Sequence, residues 1–146
     1  MSGGDVAPAD KGVIIRLVKK SSENWLKIAE ADLRMAKVLL KAYEALGLIF
    51  HLHAAVEKIL KGIATEKGIV PPKIHNLKKL AINTCEIKLE NYRDQLLYSL
   101  DQAFIDTRYP DDIDEIERKY PIEYCEKLYK EVEVTFKWLK NLLLEN

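Results

Sequence analysis

The sequence predicts an all-α protein: an antiparallel up-and-down helical bundle of four main helices plus one short helix. Three observations predict it. Apolar residues recur at helical spacing over long stretches. Glycine (6) and proline (5) are scarce among 146 residues, so the elements run long and the connections are brief. No stretch alternates with a strand's period between hairpin turns. The length suits one domain with one core. A composition 48% hydrophobic and 32% charged is globular rather than disordered. A formal net charge of zero excludes a strongly basic nucleic-acid footprint and leaves room only for local patches. The abundance of Lys and Glu over Gln leans toward a thermophilic source.

Residues 1–20 read as a flexible or appended leader, and residues 21–146 as the bundle domain. MSGGDVAPAD is small and unpatterned. The run Val13-Ile14-Ile15 is broken by Arg16 and followed by Lys19-Lys20, too short and too charged for a signal peptide or a membrane span.

The first helix starts at the capping residues Ser21-Ser22 and runs to about Leu46. Trp25, Ile28, Ala29, Leu33, Met35, Ala36, Leu39, Leu40 and Tyr43 share its apolar face. Asp32 falls inside that stripe, where a carboxylate is costly unless paired. Gly47 occupies the place of a helix-ending glycine. The second helix covers about Leu48 to Lys67 and ends at Gly68. His53, Glu57 and Lys61 lie on its far, solvated side, with Glu57 and Lys61 in the favourable i, i+4 order.

Pro71-Pro72 make a rigid linker to a short helix from about Asn76 to Cys85. A fourth helix runs from about Glu90 to Thr107. TRYPDD (residues 107–112) and a charged loop lead to Pro121, suited to the first position of a last helix that runs to about Leu144.

Cys85 and Cys125 have no metal-like spacing and read as buried free thiols in a reducing cytoplasm. His53 and Glu57 could hold two metal ligands, but HExxH is absent and no metal is expected. There is no GxSxG and no glycine-rich phosphate loop, so no cofactor site is expected either. A bound nucleotide would have to be held by Lys and Arg side chains and helix N-termini.

TRYPDD supports two readings. In one it is punctuation: Arg108 complements the helix dipole, and Tyr109, before Pro110, is pushed out of helical conformation. In the other it is a site. Arg108 forks a phosphate and Tyr109 stacks a base, with Asp111 alongside.

Four segments occur in order: AEADLRMA, HAAVEKILKG, PPKIHNLKKL and TRYPDD. Together they resemble the HEPN family (higher eukaryotes and prokaryotes nucleotide-binding domain) over roughly residues 22–143. The resemblance implies a bundle similar to the helical domain of kanamycin nucleotidyltransferase. It also implies a homodimer, and a separate minimal nucleotidyltransferase partner, in some cases as a toxin–antitoxin pair. Ribonuclease members carry Arg, a gap of four to six residues, then His. None of Arg16, Arg34, Arg93, Arg108 and Arg118 is followed by such a histidine.

The expectation is therefore a non-catalytic, cytoplasmic nucleotide-binding protein of the RYPD-containing branch. Its ligand, a nucleotide or an RNA end, would meet Lys58, Lys61, His75, Arg108, Tyr109 and Asp111. Asp32 and Glu57 would be paired within the bundle, with Arg108 and Lys58 as the cations to reach Asp32. Two alternatives differ in class. One is a divergent metal-independent ribonuclease toxin using Arg108 with His75 or a histidine from another subunit. The other is a structural dimeric adaptor anchored by Trp138.

Overall fold

The computed structural model describes residues 17–145, so the expectation for residues 1–16 lies outside the described residues. The described residues are all helical or irregular. The elements are α1 (Lys20–Lys41), α2 (Ala45–Glu66), α3 (Leu77–Lys79, continued by a π-helical turn, Leu80–Thr84), α4 (Asn91–Arg108), α5 (Ile113–Lys119) and α6 (Ile122–Glu145). The all-α bundle matches the expected class.

Helix α2 forms the middle of the bundle. It packs against α1 over its whole length and also meets α6, α4 and the α3 segment. Fourteen of its 22 residues are buried, too many for one stripe, so it is covered on nearly every side. This corrects the solvated far side expected for His53, Glu57 and Lys61. His53 is 1% exposed and Lys61 9%, because α3 and α4 cover the face that α1 leaves open. The α1–α2 contact is close. A Cβ on Gly62 would stand 3.0 Å from Trp25 Cβ. The two helices are also tied at one end, where the Lys19 backbone N–H donates to Glu66 Oε1 at 3.1 Å.

The α1–α2 corner differs from the expected glycine stop. Helix α1 ends at Lys41, and Tyr43 takes the left-handed conformation at φ 59°. The Glu44 N–H donates to Leu39 O (2.9 Å) and the Tyr43 N–H to Leu40 O (3.1 Å), a Schellman closure around a non-glycine residue. Gly47 lies inside α2 instead, where a Cβ would meet Leu39 Cδ1 at 3.0 Å. Its small size serves helix approach, not chain reversal. Gly68 does close α2, at φ 82°. The apolar face of α1 is narrower than its sequence suggests: Ile28, Met35 and Tyr43 are exposed.

Asp112 caps a helix where a loop was expected. Its carboxylate accepts from the N–H groups of Asp114 (3.0 Å) and Glu115 (3.3 Å), starting α5. Both cysteines are free and buried, and burial pushes each thiol up to about 11. No helix among the described residues is long and apolar enough to cross a membrane.

Candidate functional site

Three buried or half-buried carboxylates organise the polar face of α2. The first is Asp32 of α1, 9% exposed. Lys58 Nζ donates to Asp32 Oδ2 at 2.7 Å, and His51 Nδ1 lies 2.8 Å from Oδ1. A carboxylate can only accept, so His51 donates from Nδ1 and its Nε2 is turned away from the pair. His51 and Lys58 are seven residues apart, two turns of α2, and so reach one carboxylate together. Of the two cations expected at Asp32, Lys58 is there and Arg108 is not.

The second is Glu57. Lys61 Nζ sits 3.0 Å and His75 Nδ1 3.1 Å from its Oε2, while His53 Nδ1 is 3.8 Å from Oε1. Lys61 reaches it by helical periodicity, His75 from the chain just before α3. The third is Asp101 of α4, 5% exposed. It accepts from the Leu77 N–H (3.0 and 3.1 Å to its two oxygens) and from the Lys78 N–H at 3.5 Å. Asp101 thus satisfies the first backbone donors of α3 from a neighbouring helix. His53 Nε2 donates to it at 3.0 Å. His53 Nδ1 is buried without a hydrogen-bond partner among the described residues.

A row of rings connects this network to the end of α4. The His53 ring stacks on Phe104, with centroids 3.9 Å apart and planes 12° apart. Phe50 stands 6.3 Å from Phe104 and 5.1 Å from the His51 ring, edge on. Arg108 lies over Phe104 (5.2 Å) and Tyr109 (5.6 Å). Arg108, Tyr109 and Asp111 are exposed at the TRYPDD turn. Within TRYPDD, Arg108 ends α4, Tyr109 leaves helical geometry before Pro110, and Asp112 starts α5.

The structure brings Glu57, Lys61 and His75 together and joins Asp32 to Lys58. It sets Arg108 and Tyr109 one ring layer beyond His53. Sequence reasoning missed His51, His53, Asp101 and Phe104 as parts of this assembly. Asp101 carried the same signal as Asp32, a carboxylate inside an apolar stripe (Leu97, Leu100, Phe104). His51 carried only its seven-residue offset from Lys58.

The fold matches a solved structure, that of TT1696 from Thermus thermophilus. The TM-score is 0.73 at 22% identity, covering 85% of this chain and 99% of that one. The HEPN domain family model matches residues 22–142, and the chain belongs to that family. A relative from Methanocaldococcus jannaschii, named "Putative toxin MJ1304", is 28% identical over 138 residues, 86% of this chain and 90% of the relative.

Proposed function

We propose that this HEPN protein binds a nucleotide or RNA end at the Arg108–Tyr109 end of the ring row. It is non-catalytic in this reading and presents the ligand to a separate minimal nucleotidyltransferase, which supplies metal and transfer chemistry. One observation carries the reading. Lys58 and Lys61 are each held by a carboxylate of the bundle, whereas Arg108 is an exposed guanidinium that, among the described residues, rests on aromatic rings and meets no carboxylate. A guanidinium so placed offers its fork to a phosphate, and Tyr109 offers a face to a base. Lys58, Lys61 and His75 then support the site from below, through Asp32 and Glu57, and Asp111 borders the ligand. The working unit is a cytoplasmic homodimer with its partner, in the manner of a toxin–antitoxin pair.

The test is calorimetric titration of a nucleotide panel, ATP included, into wild type and Arg108→Ala, alone and with the nucleotidyltransferase encoded nearby. Binding lost in a variant with an unchanged melting temperature supports the site. No binding in either setting rejects it.

A second reading, metal-independent RNA cleavage, is favoured by one feature. The Asp32–His51 pair holds an imidazole in one orientation with Nε2 available as a base, and the toxin name of the relative agrees. RNA cleavage lost in both His51→Ala and Arg108→Ala would establish it. An inactive preparation at high concentration would reject it.

A further inference from the structure

The opposite side of α1 carries a second, unrelated feature. At about 100° per residue, Arg34 and Lys37 project roughly 140–200° around α1 from Asp32, away from the polar network. They line a groove of about 630 Å³ between α1 and α6. Lys137 and Lys140 line its other wall, with Glu30 and Glu133 as the acidic members. The walls are thus four cations against two carboxylates, in a chain whose net charge is zero.

Pairing within the groove leaves that excess in place and assigns it to particular side chains. Lys140 is bound to Glu30 at 2.7 Å, so that pair cancels. Glu133 lies 3.5 Å from the Tyr129 hydroxyl. Arg34, Lys37 and Lys137 are exposed and form no ion pair or hydrogen bond among the described residues. By contrast, the exposed Lys119 holds Asp106 at 2.7 Å. Three cations that form no ion pair among the described residues, against the single carboxylate of Glu133, leave the facing walls of the groove with a net positive charge that favours a chain of negative charge.

We propose that the α1–α6 groove binds the phosphate backbone of a single-stranded nucleic acid, through Arg34, Lys37 and Lys137. The occupant is a strand rather than a single phosphate because the cations stand on both walls and along α1 rather than around one point. Its Tyr129 and Phe136 rings are buried, so no stacking platform faces the groove, and recognition is of backbone without base readout. This surface is independent of the Arg108 site and stands if that reading fails.

The experiment is fluorescence anisotropy with a labelled mixed-sequence single-stranded oligoribonucleotide, repeated over a salt series. Single strands give a slope of about −0.7 per neutralised phosphate in log affinity against log salt, so three cations contribute about −2. The Arg34→Gln/Lys37→Gln double variant should lose about 1.4 of that slope with an unchanged melting temperature. Lys137→Gln, on the other helix, should lose about 0.7 and repeats the test should the double variant fold poorly. Arg108→Ala should leave the groove's contribution in place. Absence of binding at low salt, or slopes unchanged in the groove variants, overturns the proposal. A slope lost only in Arg108→Ala does the same. Displacement of the RNA by phosphatidylglycerol vesicles or inorganic tripolyphosphate, at equal phosphate concentration, would reassign the groove to a membrane surface or a free polyphosphate.

Discussion

The cations of α2 and the cations at the bundle's edges have the same chemistry and opposite circumstances. Lys58 and Lys61 look from the sequence like a basic pair on an open helix face. In the fold each belongs to a carboxylate, Lys58 to Asp32 at 2.7 Å and Lys61 to Glu57 at 3.0 Å. Arg108, Arg34 and Lys37 sit at the end of a helix or beside a groove and meet no carboxylate among the described residues. Burial makes the difference, on one side of each pair or the other. The Lys61 ammonium is itself buried and must be paired, while the half-exposed Lys58 is held because the buried Asp32 carboxylate needs a cation. A cation at the rim keeps its water and can exchange it for a ligand. A lysine on a family motif is therefore not evidence of contact with a ligand until its partner is known.

Four substitutions would break or sharpen that contrast. The largest effect is expected from Asp101→Ala. It strands the buried Leu77 N–H and His53 Nε2 at once and should cost roughly 3–5 kcal/mol in urea unfolding. A loss below about 1 kcal/mol would mean that water takes over the carboxylate's role. Asp32→Ala should cost less, about 1–3 kcal/mol, since the Lys58 and His51 side chains keep 32% and 27% exposure and can rehydrate. An unchanged melting temperature would show that the pair contributes nothing net.

Arg108→Ala should change stability by no more than about 1 kcal/mol, the scale of an exposed contact between a guanidinium and a ring. A larger loss would turn TRYPDD into a structural device and weaken the proposed site. The smallest effect concerns pH. Hydrogen bonds from Lys119 and Tyr120 hold the Asp106 carboxyl below its ordinary 3.8. A lowered folded value means that its stabilisation is present above pH 3.8 and is lost as pH falls through the folded value. Wild type and Asp106→Asn should then differ at neutral pH and converge in acid, read as melting temperature across an acid series. A constant offset throughout the acid series would contradict this.

Much of the fold was legible because local rules and tertiary needs agree there. Gly68 closes α2, and the Asn76 side chain accepts from the Lys79 N–H at 2.8 Å to cap α3. The capping role expected of Ser21-Ser22 is not met: α1 begins earlier, with Lys19 as its N-cap and no side-chain cap, so both serines lie inside the first turn and the Ser22 hydroxyl is buried without a hydrogen-bond partner among the described residues. The Tyr43 corner was not legible, because a left-handed non-glycine residue has no sequence mark when neighbouring hydrogen bonds hold it. Helix α5 was hidden by its own polarity: none of its residues is buried, so it shows no stripe. Its one cue was Asp112 followed by acidic residues, a helix start read as part of a charged loop.

The sequence by itself determined the class, the number of long helices and the oddity of Asp32, since these follow from periodicity and from the cost of a carboxylate among apolar residues. Trp138 illustrates the boundary. The sequence offered it as an anchor for a partner, but could not show that the Arg93 guanidinium would cover its ring at 3.9 Å. Beyond the i, i+4 pair of Glu57 and Lys61 and the expected pairing of Lys58 with Asp32, tertiary structure decided which charges meet. Partners such as Glu57 and His75, or His53 and Asp101, are 18 and 48 residues apart, and no local rule links them. Once α2 took the centre, its polar side chains had to find partners on α1, α3 and α4. The cations left over at Arg108 and along the α1–α6 groove are those the packing did not need.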